Sequence, residues 1–67
     1  MIKIIINGAE KEFPNEISLA DLLQYLSLAS ERIAVELNQT VIRRADWHKT
    51  KIKNRDALEI VHFVGGG

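Results

Sequence analysis

Short apolar runs alternate with polar turns along the whole chain, and their periods predict its elements. Ile2 to Ile6 is a β-branched run interrupted only by Lys3, which predicts a strand. Asn7-Gly8 follows directly. Both residues tolerate positive φ, as the two central positions of a type I′ turn require, so Ala9 to Phe13 is expected to return as the second strand of a hairpin. Glu10, Lys11 and Glu12 mark that strand as an exposed face or edge, and Pro14, with no N–H for a ladder, stops it. Ser18 reads as a helix N-cap, with Asp21 three residues on as the acid of a capping box and a complement to the helix N-terminus. Leu19, Leu22, Leu23 and Leu26 then recur at i, i+3, i+4 and i+7, the apolar stripe of an amphipathic helix expected to fray near Leu28-Ala29-Ser30. Burial of each leucine stabilises by roughly 1.5–3 kcal/mol, which makes this helix the largest single contributor to the core.

Ile33 to Leu37 alternates like a half-buried strand. Asn38-Gln39-Thr40 is expected to turn the chain into a short strand, Val41 to Arg43. Arg44 to His48 reads as a loop or one helical turn, with Trp47 folded on the core as a lid. Thr50 to Lys53 is irregular or a short strand, Asn54-Arg55-Asp56 a turn, and Ala57 to Val64 the longest strand pattern, apolar at positions of both parities. A strand apolar on both faces belongs in the middle of a sheet. The order β-β-α-β-β-β with one amphipathic helix predicts an α+β domain: a mixed sheet packed on one helix. It predicts a domain over residues 1–64 and a flexible glycine tail over 65–67.

Length and composition limit what this domain can do. At 67 residues, 46% of them hydrophobic and none of them cysteine, the core is small, aliphatic and unstapled. It has little room for a deep substrate pocket, which favours a carrier or docking module over an enzyme. Net charge is zero but unevenly spread: Arg43, Arg44, Lys49, Lys51, Lys53 and Arg55 crowd one stretch, while residues 1–42 are acid-rich. That stretch has no interleaved aromatics apart from Trp47 and no RNA-binding motif, so no nucleic-acid partner is expected. The apolar start is too short for a signal core and no run approaches a membrane span, so a cytoplasmic location and no membrane partner are expected.

Candidate chemistry lies in Gly65-Gly66-Gly67. Without Cβ atoms such a tail can extend, adopt any φ and enter a narrow channel, delivering the carboxylate of Gly67. A carboxylate reacts with nucleophiles only once activated, and ATP does this by forming an acyl-adenylate. The chain has no GxxxxGK[ST] phosphate-binding loop, so it binds no cofactor of its own on this reading and a partner enzyme uses the ATP. Glu59, Val61 and Phe63 share one face of the last strand, and Leu58 and Ile60 the other. If the latter face the helix, Val61 and Phe63, with Glu59 and Val64, form a partner-binding surface beside the tail. His48 and His62 lack ligand-spaced partners, and no metal site is expected.

Several segments together resemble a known family. They are Ile4-Ile5-Ile6-Asn7-Gly8, Ser18-Leu19-Ala20-Asp21-Leu22-Leu23, Ile33-Ala34-Val35-Glu36-Leu37-Asn38, Val41-Ile42-Arg43, Trp47 and, most specific, the run Asp56 to Gly67 ending Phe-Val-Gly-Gly-Gly. The chain resembles the ThiS family, sulfur carriers of thiamine thiazole biosynthesis within the ubiquitin-like β-grasp superfamily. That resemblance implies a β-grasp fold and a cycle. A ThiF-type enzyme adenylates the Gly67 carboxylate, a persulfide donor converts it to a thiocarboxylate, and a ThiG-type thiazole synthase accepts the sulfur. Many members of the family have glycine where this chain has Arg55, which assigns the tight turn to Asn54. A molybdopterin-synthase-type sulfur carrier, a ubiquitin-like protein modifier and an interaction domain with an inert tail are the alternatives.

Overall fold

The computed structural model describes residues 1–28 and 30–63. Strand β1 (Ile2–Ile6) and strand β2 (Ala9–Phe13) form an antiparallel hairpin, with Ile2 opposite Phe13 and Ile6 opposite Ala9. Its turn takes φ of 51° at Asn7 and 83° at Gly8, the left-handed pair expected of Asn-Gly. Strand β3 (Ile17–Ser18) leads into helix α1 (Leu19–Tyr25). After a 3₁₀ turn over Ser30–Arg32 come β4 (Ile33–Leu37) and β5 (Thr40–Ile42). A 3₁₀ helix over Arg44–Lys49, β6 (Lys51–Ile52) and β7 (Ala57–His62) complete the order. The main sheet runs β2-β1-β7-β4-β5, with β1 and β7 parallel and the other neighbours antiparallel. The long strand predicted from its apolar pattern is therefore central.

Period-2 alternation places Ile2, Ile4 and Ile6, Ile33 and Val35, and Leu58 and Ile60 on one side of the sheet, all buried. Leu19, Leu22 and Leu23 of α1 join them in one cluster with Phe13, Trp47 and Ile52. Trp47 is the lid expected of it: its indole Nε1–H donates to the Ile42 carbonyl at 3.0 Å, and the Arg44 guanidinium stands 5.4 Å from the ring centre.

Four local expectations are corrected. First, the described residues form seven strands where the predicted order has five: Ile17–Ser18 is an added strand, and Lys51–Ile52 takes the strand alternative for Thr50 to Lys53, the two pairing as a second, two-stranded sheet. The pairing sets Ile17 opposite Ile52, and Leu19 N–H donates to the Thr50 carbonyl at 2.7 Å. Second, α1 ends at Tyr25 instead of near Leu28. Ser18 Oγ caps it by accepting from Asp21 N–H at 3.1 Å, as expected. Its other end closes as a Schellman motif: Leu28 N–H donates to the Leu23 carbonyl and Ser27 N–H to the Gln24 carbonyl, with Ser27 left-handed at φ 59°. Third, the β4–β5 turn is Asn38-Gln39 (φ 51° and 72°), so Thr40 belongs to the strand and Arg43 lies outside it.

Fourth, Arg55, not Asn54, carries the positive φ of the last turn, at 76°. Asn54 instead ties the turn to β1. Its Oδ1 accepts from Lys3 N–H at 2.8 Å, while Arg55 N–H donates to the Lys3 carbonyl at 2.7 Å. A side chain with a Cβ costs about 1–2 kcal/mol in this region relative to its preferred conformations. Arg55→Gly is expected to stabilise the fold by about 1 kcal/mol, raising the thermal midpoint by about 4–8 °C. An unchanged or lower midpoint would show that the Arg55 side chain offsets its own backbone strain.

Candidate functional site

Two asparagines hold the strand that leads toward the tail. Asn7 reaches from the β1–β2 turn: its Nδ2–H donates to the Ile60 carbonyl at 3.1 Å, and its Oδ1 accepts from Ile60 N–H at 2.7 Å. Its backbone N–H donates to the Leu58 carbonyl at 2.9 Å. The side chain so continues the parallel β1–β7 pairing, whose backbone register covers Ile5 with Ala57 and Ile6 with Leu58. Asn38 does the same from the β4–β5 turn. Its Oδ1 accepts from Ala57 N–H at 2.9 Å, its Nδ2–H donates to Asp56 Oδ1 at 3.0 Å, and its backbone N–H donates to the Ala57 carbonyl at 2.8 Å. Asp56 Oδ2 accepts from Lys53 N–H at 2.7 Å, which closes the turn before β7. Sequence reasoning found both asparagines as turn residues and missed their side-chain role. The available signal was asparagine, rather than glycine, at the first position of each two-residue turn.

On the far side from the helix the sheet is uncovered among the described residues. Glu59, Val61 and Phe63 all lie exposed, with Val61 at 56% and Phe63 at 49% of full exposure, beside the buried Leu58 and Ile60. The pairing with β4 continues past β7, where Phe63 N–H donates to the Arg32 carbonyl at 2.9 Å. Three of the anticipated partner-binding residues thus share one open face. The fourth, Val64, and the tail residues Gly65, Gly66 and Gly67 lie outside the described residues. The same face holds Ala34 opposite Val61, Glu36 opposite Glu59, and Val41 opposite Glu36.

His48 and His62 are exposed, and no three acidic, histidine or cysteine side chains converge on a metal-sized site among the described residues. Two shallow depressions, of about 300 and 340 Å³, are lined respectively by residues around Lys3 and Arg55 and by the helix side around Leu23 and Trp47. Neither is lined by a residue of β7. No helix of the described residues is long and apolar enough to cross a membrane.

The comparisons with known proteins agree with this geometry. The ThiS family model matches residues 4–67. The uncharacterized protein ycf40 of Porphyra purpurea is 44% identical over 66 residues, covering 98% of this chain and 93% of that one. The sulfur carrier protein ThiS of Bacillus subtilis is 35% identical over 63 residues, covering 92% of this chain and 96% of its own. A thiazole synthase of Paramagnetospirillum magneticum is 35% identical over 66 residues, 98% of this chain but only 20% of the longer protein. Among solved structures, the thiamine biosynthesis protein ThiS of Geobacter metallireducens superposes with a TM-score of 0.88 at 32% identity, covering 98% of this chain and 100% of that one. One helix on a mixed sheet, in that arrangement, is the ubiquitin-like β-grasp fold. The chain belongs to the ThiS family.

Proposed function

We propose that this protein is the sulfur carrier for thiazole formation in thiamine biosynthesis, acting in the cytoplasm as a protein substrate of its partner enzymes rather than as an enzyme. The observation that carries the reading is the extent of the family match, which runs through residue 67 and so includes all three tail glycines. The domain is residues 1–64 and the delivering tail 65–67. The Gly67 carboxylate attacks the α-phosphate of ATP held by a ThiF-type adenylating enzyme, and pyrophosphate leaves. A persulfide's terminal sulfur attacks the resulting acyl-adenylate, and AMP leaves. Cleavage of the S–S bond by a thiol then frees the thiocarboxylate, whose sulfur passes to a ThiG-type thiazole synthase. The chain itself binds no cofactor on this reading.

Two further observations support it. The likeness to part of a longer thiazole synthase indicates that carrier-like and synthase segments occur in one polypeptide, as expected of proteins that act together. The open face bearing Val61, Phe63 and Glu59 offers partner enzymes a surface on the strand that precedes Val64 and the tail in sequence.

Incubation with a ThiF-type enzyme, ATP and a persulfide source, followed by intact mass measurement, tests the reading. The expected result is a rise equal to one oxygen exchanged for sulfur, localised to Gly67. An unchanged mass, with the same enzyme active on another carrier, would favour a protein modifier or an inert tail.

A further inference from the structure

Asn7 is followed by Gly8, whereas the other asparagines, Asn15, Asn38 and Asn54, precede Glu16, Gln39 and Arg55. That neighbour matters chemically. An asparagine side-chain amide is open to attack by the backbone nitrogen of the next residue, and glycine, without a Cβ, hinders that approach least. The nitrogen of Gly8 bonds to Cγ of Asn7, the Cγ–Nδ2 bond breaks, and ammonia leaves with the proton from the Gly8 N–H. Water then opens the cyclic imide at either carbonyl. One opening gives aspartate at position 7. The other gives isoaspartate, in which the main chain runs through Cγ. Water is consumed, ammonia is released, and nothing is oxidised or reduced.

The fold holds this reaction back. Asn7 donates from Nδ2 to the Ile60 carbonyl at 3.1 Å, accepts at Oδ1 from Ile60 N–H at 2.7 Å, and donates from its backbone N–H to the Leu58 carbonyl at 2.9 Å. Imide closure needs the side chain and the Asn7–Gly8 peptide brought into one ring, and these bonds hold Asn7 against β7 instead. Gly8 is exposed, and a Cβ built on it would meet nothing within 4 Å, so water reaches the turn once the side chain lets go. Neither product restores the clamp. Aspartate has no Nδ2–H, so a carboxylate oxygen faces the Ile60 carbonyl, two acceptors with no proton between them. Isoaspartate lengthens the main chain of a two-residue turn whose flanks, Ile6 and Ala9, are paired.

We propose that Asn7 is a site of spontaneous deamidation guarded by its clamp on Ile60, and that the reaction acts as a one-way latch. It proceeds in molecules whose clamp has opened and keeps the clamp from closing again. What is lost is the pin on the central strand that leads toward the tail. This chemistry is independent of the carrier reading.

The test is incubation of the full chain in heavy-oxygen water, folded and in increasing urea, followed by peptide mass mapping. Deamidation marks position 7 by replacing its amide NH2 with solvent-derived oxygen. The folded chain is expected to deamidate roughly ten- to hundredfold more slowly than the unfolded chain, the protection that two modest hydrogen bonds give. Below the unfolding transition the rate should rise in step with hydrogen exchange at the Ile60 amide. Asn7→Asp, one of the two products, should melt below wild type and leave that amide unprotected. The rate measurements need only the wild-type chain, so they stand whether or not that variant folds. Equal rates in the folded and unfolded chains, or faster reaction in the folded one, would overturn the guard. So would a rate that follows global unfolding alone, since the clamp would then have no part in it. An Asn7→Asp chain with the wild-type midpoint and a protected Ile60 amide would overturn the latch.

Discussion

Deletion of Gly67 is expected to leave a folded protein that takes up no sulfur. Among the described residues the buried core runs from Ile2 to Ile60, so the thermal midpoint should match that of the full chain. The shortened chain still ends in a glycine carboxylate, chemically the same group. It ends about 3.3–3.6 Å short, however, the reach of one extended residue. Displacement of a reacting group by about 1 Å can cost a hundredfold in rate, and a whole residue removes the carboxylate from reach of the α-phosphate. Intact mass after incubation with the adenylating enzyme, ATP and a persulfide should therefore show the unmodified chain alone. Full sulfur loading on Gly66 would mean that the enzyme draws the tail in without regard to its length, and that the third glycine is dispensable. An inert tail predicts a third pattern: no loading of either chain, with partner binding untouched by the deletion. The experiment thus separates a delivery device from a binding module on a single residue.

Much of this architecture was legible because its signals are periodic. The alternation of Ile2, Ile4 and Ile6 and the 3-4 spacing of Leu19, Leu22 and Leu23 each place a buried row, and the structure buries those rows. The parity of Leu58 and Ile60 against Val61 and Phe63 likewise told the two faces of β7 apart. What escaped was aperiodic or depended on register. Ile17–Ser18 and Lys51–Ile52 are two residues each, too short to show any period, and only the tertiary fold brings them together. The end of α1 was hidden because a serine, not a glycine, occupies its left-handed C-terminal position. The last turn departs from expectation because asparagine tolerates positive φ better than arginine does, yet Asn54 is held by its side chain to Lys3 and Arg55 takes the strain. The opposition of Glu36 and Glu59 follows only from the β4–β7 register, which no local pattern specifies. The chemistry proposed for the tail, by contrast, is argued from residue types alone, since glycine's freedom and a carboxylate's need for activation depend on no neighbour.

Asn7→Ala is the structural counterpart of the tail deletion, and it is expected to cost about 2–4 kcal/mol of stability. Two effects add. Loss of the side-chain amide leaves the N–H and the carbonyl of Ile60 without their partners at 2.7 and 3.1 Å in a partly buried position. Leaving a backbone donor or acceptor unpaired there costs about 1–3 kcal/mol. Alanine at φ 51° also carries the left-handed penalty that asparagine largely escapes. In a 67-residue domain this lowers the thermal midpoint by about 10–25 °C. Asn7→Gly divides the sum, since glycine accepts the turn without strain but still lacks the clamp. Its deficit against wild type measures the two hydrogen bonds, and the further deficit of alanine measures the strain. Hydrogen exchange gives the local readout: the Ile60 amide should lose protection in both variants, and more than the amides of β2 at the sheet edge. A midpoint for Asn7→Gly equal to wild type, with Ile60 still protected, would show that water replaces the clamp at no cost. β7 would then be held by its ladders with β1 and β4 alone, and the asparagine would matter only for its backbone. The expected loss instead makes the β1–β2 turn part of the apparatus that holds Glu59 and Val61 in register on the open face, five strands from edge to edge and pinned from the centre.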